Sequence, residues 1–145
     1  MKPMVIEIRP LEGMPPLKFG ATTEAVARLL GDPPQTELLD EDDEFFTPTL
    51  IWHYPDHGIS LFFEGDEHQL TSVESDNQDT LLFGQKVFSL TRQQLEELLA
   101  ANSFHDVEQE TEAWGEERMS FNDALIDFYF ESEKLSTVDW GIIPE

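Results

Sequence analysis

Hydrophobic and polar residues alternate strictly in two stretches of this chain. In the first, Ile59, Leu61 and Phe63 alternate with Ser60, Phe62 and Glu64. In the second, Ile126, Phe128 and Phe130 alternate with Asp127, Tyr129 and Glu131. A period of two places each apolar set on one face of a half-buried strand. A helical period precedes each stretch. Thr22 or Thr23 is placed to cap a helix carrying Val26, Leu29 and Leu30 on one face, ended by Gly31 and followed by Pro33-Pro34. Thr91 stands in the same relation to Leu95, Leu98 and Leu99, with Asn102 as the stop. Such stripes belong to helices packed on a sheet.

The two halves match in order. Phe63-Glu64 is followed by Leu70-Thr71-Ser72-Val73-Glu74, and Phe130-Glu131 by Leu135-Ser136-Thr137-Val138-Asp139. The second intervening turn is two residues shorter, and an even deletion keeps every side chain on its face. Tyr54-Pro55-Asp56 and Phe121-Asn122-Asp123 both carry turn chemistry. The expected fold is therefore α+β, a tandem repeat of a helix followed by an antiparallel β-meander, with the helices packed on one face of the sheet. The repeats run over about 19–76 and 83–140 of a single domain, 1–145. Asp40 to Glu44 reads as an acidic loop, Asp76 to Asp79 as the seam between copies, and Glu108 to Glu117 as a further strand or a loop around Trp114-Gly115. Met4 to Ile8 reads as an edge strand.

Composition narrows the function classes. The chain has 145 residues, 39% of them hydrophobic, with eleven Phe and three Trp, which suits a packed domain and not a disordered one. Cysteine is absent, excluding disulfides and thiolate chemistry and pointing to a reducing cytoplasm. The N-terminus has no apolar segment of the kind a signal peptide needs, and no run reaches the length of a membrane span. Acidic residues number 31 against 8 basic ones, a formal charge of −23. That balance argues against nucleic acid and anionic membrane as partners and favours a basic protein. Solubility alone is the plain alternative.

Phe19-Gly20-Ala21-Thr22-Thr23, then Leu29-Leu30-Gly31-Asp32-Pro33, then Trp52-His53-Tyr54 resemble the helix-to-meander motif of the BamE/SmpA-OmlA group and of β-lactamase-inhibitor-protein-like folds. The resemblance covers residues 19–75 and more weakly 83–140. It implies a tandem unit of that kind and a protein-binding style. The chain departs from the group in lacking a lipidated cysteine, a signal and any disulfide, so no membrane-assembly role is implied.

No catalytic signature is present. His53 and His57 are separated by Pro55, so they share a turn and not a helix face, and His68 and His105 stand apart. The acid run lacks the alternation and central glycine of a calcium loop. No nucleophile elbow, phosphate loop or dinucleotide fingerprint occurs, and serine and histidine do not cluster along the chain. The expectation is a non-catalytic module with no cofactor and no metal. Its candidate protein-binding residues are Trp52, Tyr54, Phe62 and Tyr129, aromatics on expected strands, together with Asp127. Phe62 and Tyr129 occupy equivalent positions on the face opposite the buried alternation, a face that binds a partner unless helices or a second copy cover it. An immunity protein or inhibitor of a basic partner is the specific form of this reading. A homo-oligomerising structural module and a carboxylate-dependent enzyme are the alternatives.

Overall fold

The computed structural model describes residues 5–39, 49–65, 67–113 and 115–143. The acid run Asp40 to Glu44, Met4 and Trp114 lie outside the described residues. In chain order the elements are β1 (Glu7–Ile8), β2 (Gly13–Met14), β3 (Leu17–Lys18), α1 (Thr23–Leu30), β4 (Gln35–Leu39), β5 (Thr49–Tyr54), β6 (Ile59–Glu64) and β7 (Gln69–Ser75). There follow β8 (Leu81–Leu82), β9 (Gln85–Lys86), α2 (Arg92–Ala101), β10 (Val107–Thr111), β11 (Glu117–Phe121), β12 (Ile126–Glu131) and β13 (Lys134–Gly141). The fold is mostly-β α+β, with two α-helices among the described residues and one large antiparallel sheet of eight strands, ordered β10-β11-β12-β13-β7-β6-β5-β4.

The helix ends follow from their capping residues. The Thr22 hydroxyl accepts from the Ala25 N–H at 3.2 Å, and Gly31, at φ +80°, ends α1 where a side chain would be strained. Thr91 and Gln94 form a reciprocal capping box on α2, and the Asn102 side chain donates back to the Leu98 carbonyl at 2.9 Å. Val26, Leu95 and Leu99 are fully buried, whereas Leu29 is 44% exposed, so the expected stripe on α1 is narrower than three leucine-sized contacts.

Cross-strand partners point to the same side of a sheet. Tyr54↔Ile59↔Ser75↔Val138 and Trp52↔Leu61↔Val73↔Trp140 therefore share one face. That inner face is covered by Val26, Leu95 and Leu99 of the helices, by Ile6, Ile8, Met14 and Leu17 of the N-terminal segment, and by Leu82 and Val87 of the connection between β7 and α2. The expected strand near Met4 to Ile8 is realised as β1, which pairs in parallel with β8 in a small separate sheet. Trp140, fully buried, donates its Nε1–H to the Gly13 carbonyl at 2.9 Å and ties that N-terminal layer to the sheet centre.

Each of two strand pairs contains a bulge. Thr71 is the unpaired extra residue opposite Phe62 and Phe63, and Ser136 is the one opposite Tyr129 and Phe130. The bulge breaks the main-chain ladder, and the hydroxyl of the extra residue donates to the freed carbonyl: Thr71 to Phe62 at 3.4 Å, Ser136 to Tyr129 at 3.0 Å. A hydroxyl residue after each leucine is what this geometry needs. At the junction of the central strands, Gly141 pairs with Ser72 so closely that a Cβ there would lie 2.5 Å from the Thr71 carbonyl oxygen.

Candidate functional site

Neither helix covers the outer face of the sheet. A single row of side chains crosses it through all eight strands: Gln35, His53, Ser60, Glu74, Asp139, Asp127, Ser120 and Glu108, each directly paired with the next. Three consecutive members, Glu74, Asp139 and Asp127, are carboxylic acids. Like charges placed directly opposite repel. Burial pushes the Asp139 carboxyl up to about 7, with Glu74 and Asp127 adding to the rise. Glu74 is raised too, by burial first and then by Asp76, with Glu116 contributing and His53 opposing. The centre of this face therefore gains from a positive charge brought to it.

A groove of about 270 Å³ opens along the row, lined among others by Gln35, His53, Pro55, Ser60, Glu74 and Asp76. His53 is fixed there from both sides: Nδ1 lies 2.7 Å from the Ser60 hydroxyl and Nε2 lies 2.9 Å from Glu37 Oε1. This serine–histidine–glutamate chain was invisible in the sequence, because it forms across three strands. Ser60 sits mid-strand with paired neighbours on both sides, so its backbone belongs to the ladder. The three side chains link strands β4, β5 and β6 through His53. Among the described residues no group of three or more His, Asp or Glu side chains is arranged to hold a metal ion.

The five sequence-derived candidates separate. Phe62 and Tyr129 do lie half-buried on the outer face, on opposite sides of the acid row, and Asp127 is a member of the row itself. Burial, then Asp127 and Asp139, raise the Tyr129 phenol to about 12, with Arg118 opposing. Trp52 and Tyr54 are on the inner face and leave the candidate surface. The Trp52 ring packs 5.1 Å from that of Phe63. Tyr54 is only 4% exposed, and its hydroxyl donates to the Gly31 carbonyl at 2.9 Å, anchoring the end of α1 to the sheet. Alternation along Leu50, Trp52 and Tyr54 carried that information. The convergence of Glu74, Asp139, His53 and Ser60 depends on strand order, which no local pattern in the sequence carries.

No family model matches the chain, and no curated protein matches it. Among solved structures, the chain is similar to a DUF4309 family protein (YjgB) from Bacillus subtilis subsp. subtilis str. 168. The TM-score is 0.53 at 13% identity, covering 90% of this chain and 84% of that one. It is also similar to an extracellular protein containing a SCP domain from Bacillus anthracis str. Ames. There the TM-score is 0.48 at 11% identity, covering 86% of this chain and 44% of that one, less than half its length. The first of these likenesses shows a shared fold. It overturns the resemblance to the BamE/SmpA-OmlA and β-lactamase-inhibitor-like groups. The residues that carried that resemblance, Gly20, Thr22, Gly31 and Pro33, punctuate a short helix, which any helix-to-strand connection requires. No helix among the described residues is long and apolar enough to cross a membrane.

Proposed function

We propose that this chain is a non-catalytic protein-binding module whose outer sheet face holds a basic protein. The observation that carries the reading is the adjacency of Glu74, Asp139 and Asp127 on three consecutive strands, on the face that neither helix covers. Three carboxylates in a half-buried row are costly together even with His53 near Glu74 and Arg118 near Asp127, and a lysine or arginine from a partner relieves that cost. Phe62 and Tyr129 flank the row and supply the apolar contact that carries interface energy. The net charge of −23 steers a basic partner to the site. An intracellular inhibitor or immunity protein that occupies the anion-binding surface of a basic toxin is the specific form of this proposal. A cytoplasmic setting goes with it and rests on the absence of cysteine.

We propose further that the chain is a single domain formed by tandem duplication of a helix and a four-stranded meander. Three features support this reading: the mirrored strand order about the β13–β7 pair, the two bulges, and the hydroxyl residue at each.

The test is affinity capture with the parent chain and with a Glu74→Gln, Asp127→Asn, Asp139→Asn triple variant. A basic protein retained at low salt, weakened by moderate salt and lost with the triple variant is the expected result. A folded chain that retains no basic protein at low salt, or whose triple variant retains the same partner equally well, sinks the proposal.

A further inference from the structure

The groove beside His53 has a donor–acceptor sense of its own. The Glu37 carboxylate can only accept, so Nε2 of the neutral His53 ring carries the hydrogen of their 2.9 Å bond. Nδ1 is then the acceptor, and the Ser60 hydroxyl donates to it at 2.7 Å. Ser60 is left with lone pairs to offer the groove that it lines. Glu74 stands directly opposite Ser60 on the next strand, and Asp76 follows two residues on in the same lining. Asp76 is held in place there. Its N–H donates to the Gly58 carbonyl at 3.0 Å, and its Oδ1 lies 2.8 Å from where a Cβ on Gly58, at φ +68°, would stand. Among the described residues neither carboxylate accepts a hydrogen bond. Ser60, Glu74 and Asp76 therefore all meet the groove as acceptors.

The second half of the sheet meets the same need from within. Arg118 lies on the outer face, opposite Tyr129, and its guanidinium pairs with Glu110 in the field of Asp127. No lysine or arginine lines the groove of the first half. We infer that this groove receives one arginine side chain of the basic partner, which rests on the binding role proposed above and names the residue that is read. Ser60 and Glu74 stand on neighbouring strands, about 4.8 Å apart. A guanidinium carries five N–H donors in a planar fork and bridges acceptors at that spacing. An ammonium is a compact charge and meets them one at a time. Thr137, also in the lining, pairs directly with Tyr129, so the groove adjoins one of the two rings that flank the acid row.

The experiment titrates the full chain with N-acetyl-arginine methylamide and with its lysine counterpart, which carry the same charge. Nuclear magnetic resonance reads affinity and place together, from backbone amides and from the His53 ring nitrogens. The arginine probe should bind about tenfold more tightly, the effect of one further charge-assisted hydrogen bond. It should shift Ser60, Glu74 and Asp76 ahead of Asp127. Ser60→Ala and Asp76→Asn, both outside the core, should each weaken it about tenfold. Ser60→Thr, which keeps the hydroxyl acceptor, should not. Equal affinity of the two probes overturns the inference, as does a neutral His53 ring that carries its proton on Nδ1, or shifts spread evenly over the acidic surface. A basic protein captured by the parent and retained undiminished by Ser60→Ala and Asp76→Asn would leave the acid row as the binding site and remove only the groove. An arginine probe seated as expected, with no basic protein captured at low salt, would leave a guanidinium site and remove the protein partner.

Discussion

Glu74 and Asp139 stand directly opposite each other on the two central strands of the sheet, facing away from the core. Asp127 lies beside Asp139 on the next strand. Two carboxylates in register, with a third adjacent, cannot all ionise at ordinary cost. The proton that the group retains near neutral pH is a property of the sheet register, and it links stability to pH.

The sign follows from the Asp139 carboxyl, which ionises at the ordinary 3.8 when unfolded and near 7 when folded. Between those values the native chain holds a proton that the unfolded chain has lost. Its stabilising contribution is complete below the lower value and disappears as pH rises through the upper one. Folding stability should therefore fall from about pH 4 to about pH 7, by an amount on the order of 4 kcal/mol at most. Glu74 shifts in the same direction. Asp139→Asn should be more stable than the parent at about pH 8, with the gap closing toward acid. Urea denaturation of both proteins across this range measures it, and parallel profiles would contradict the assignment.

Binding of a basic partner should run the opposite way. The cation prefers the ionised carboxylate, so affinity should rise as pH increases through about 7 and the complex should release a proton. Calorimetry in buffers of different ionisation enthalpy reads that proton directly. A pH-independent affinity with no proton release would place the partner away from Asp139.

The aromatic residues should divide by face. Tyr54→Phe removes the hydroxyl bonded to the Gly31 carbonyl and should cost about 1 kcal/mol of stability with binding unchanged. Phe62→Ala and Tyr129→Ala should each lower partner affinity by about 1–2 kcal/mol, more than either lowers stability. Paired denaturation and binding measurements separate the two classes.

Gly141→Ala should destabilise by about 3 kcal/mol, because its Cβ would meet the Thr71 carbonyl oxygen at 2.5 Å and the Ser72 Cβ at 2.7 Å. Both obstacles belong to the neighbouring central strand, so the junction of β13 with β7 must open to admit a methyl group. Chemical denaturation checks this, and a neutral effect would mean that the central strands part easily.

Much of the local structure was legible in the residues. Thr22, Gly31, Thr91 and Asn102 bound the helices because capping is a local exchange of hydrogen bonds. The alternations at Ile59–Glu64 and Ile126–Glu131 became β6 and β12 with the expected residues buried. β4 went unread for a physical reason. It is an edge strand exposed on both sides, so no burial pattern is imposed on it. Asp106 and Asp123 show the same limit on a smaller scale. The Asp123 carboxylate receives the His105 and Asp106 N–H groups across a gap that no turn rule anticipates.

Alternation, capping and turn chemistry act over a few residues, and for that reason the sequence by itself determined the helices, the central strands and which side of each strand is apolar. Strand order joins residues scores of positions apart, and the tertiary structure alone decided it. Pairing β13 with β7 brought Glu74 against Asp139, and pairing β5 with β4 and β6 brought His53 between Glu37 and Ser60. The acidic row is a consequence of register, which backbone hydrogen bonding and the buried inner face fix together.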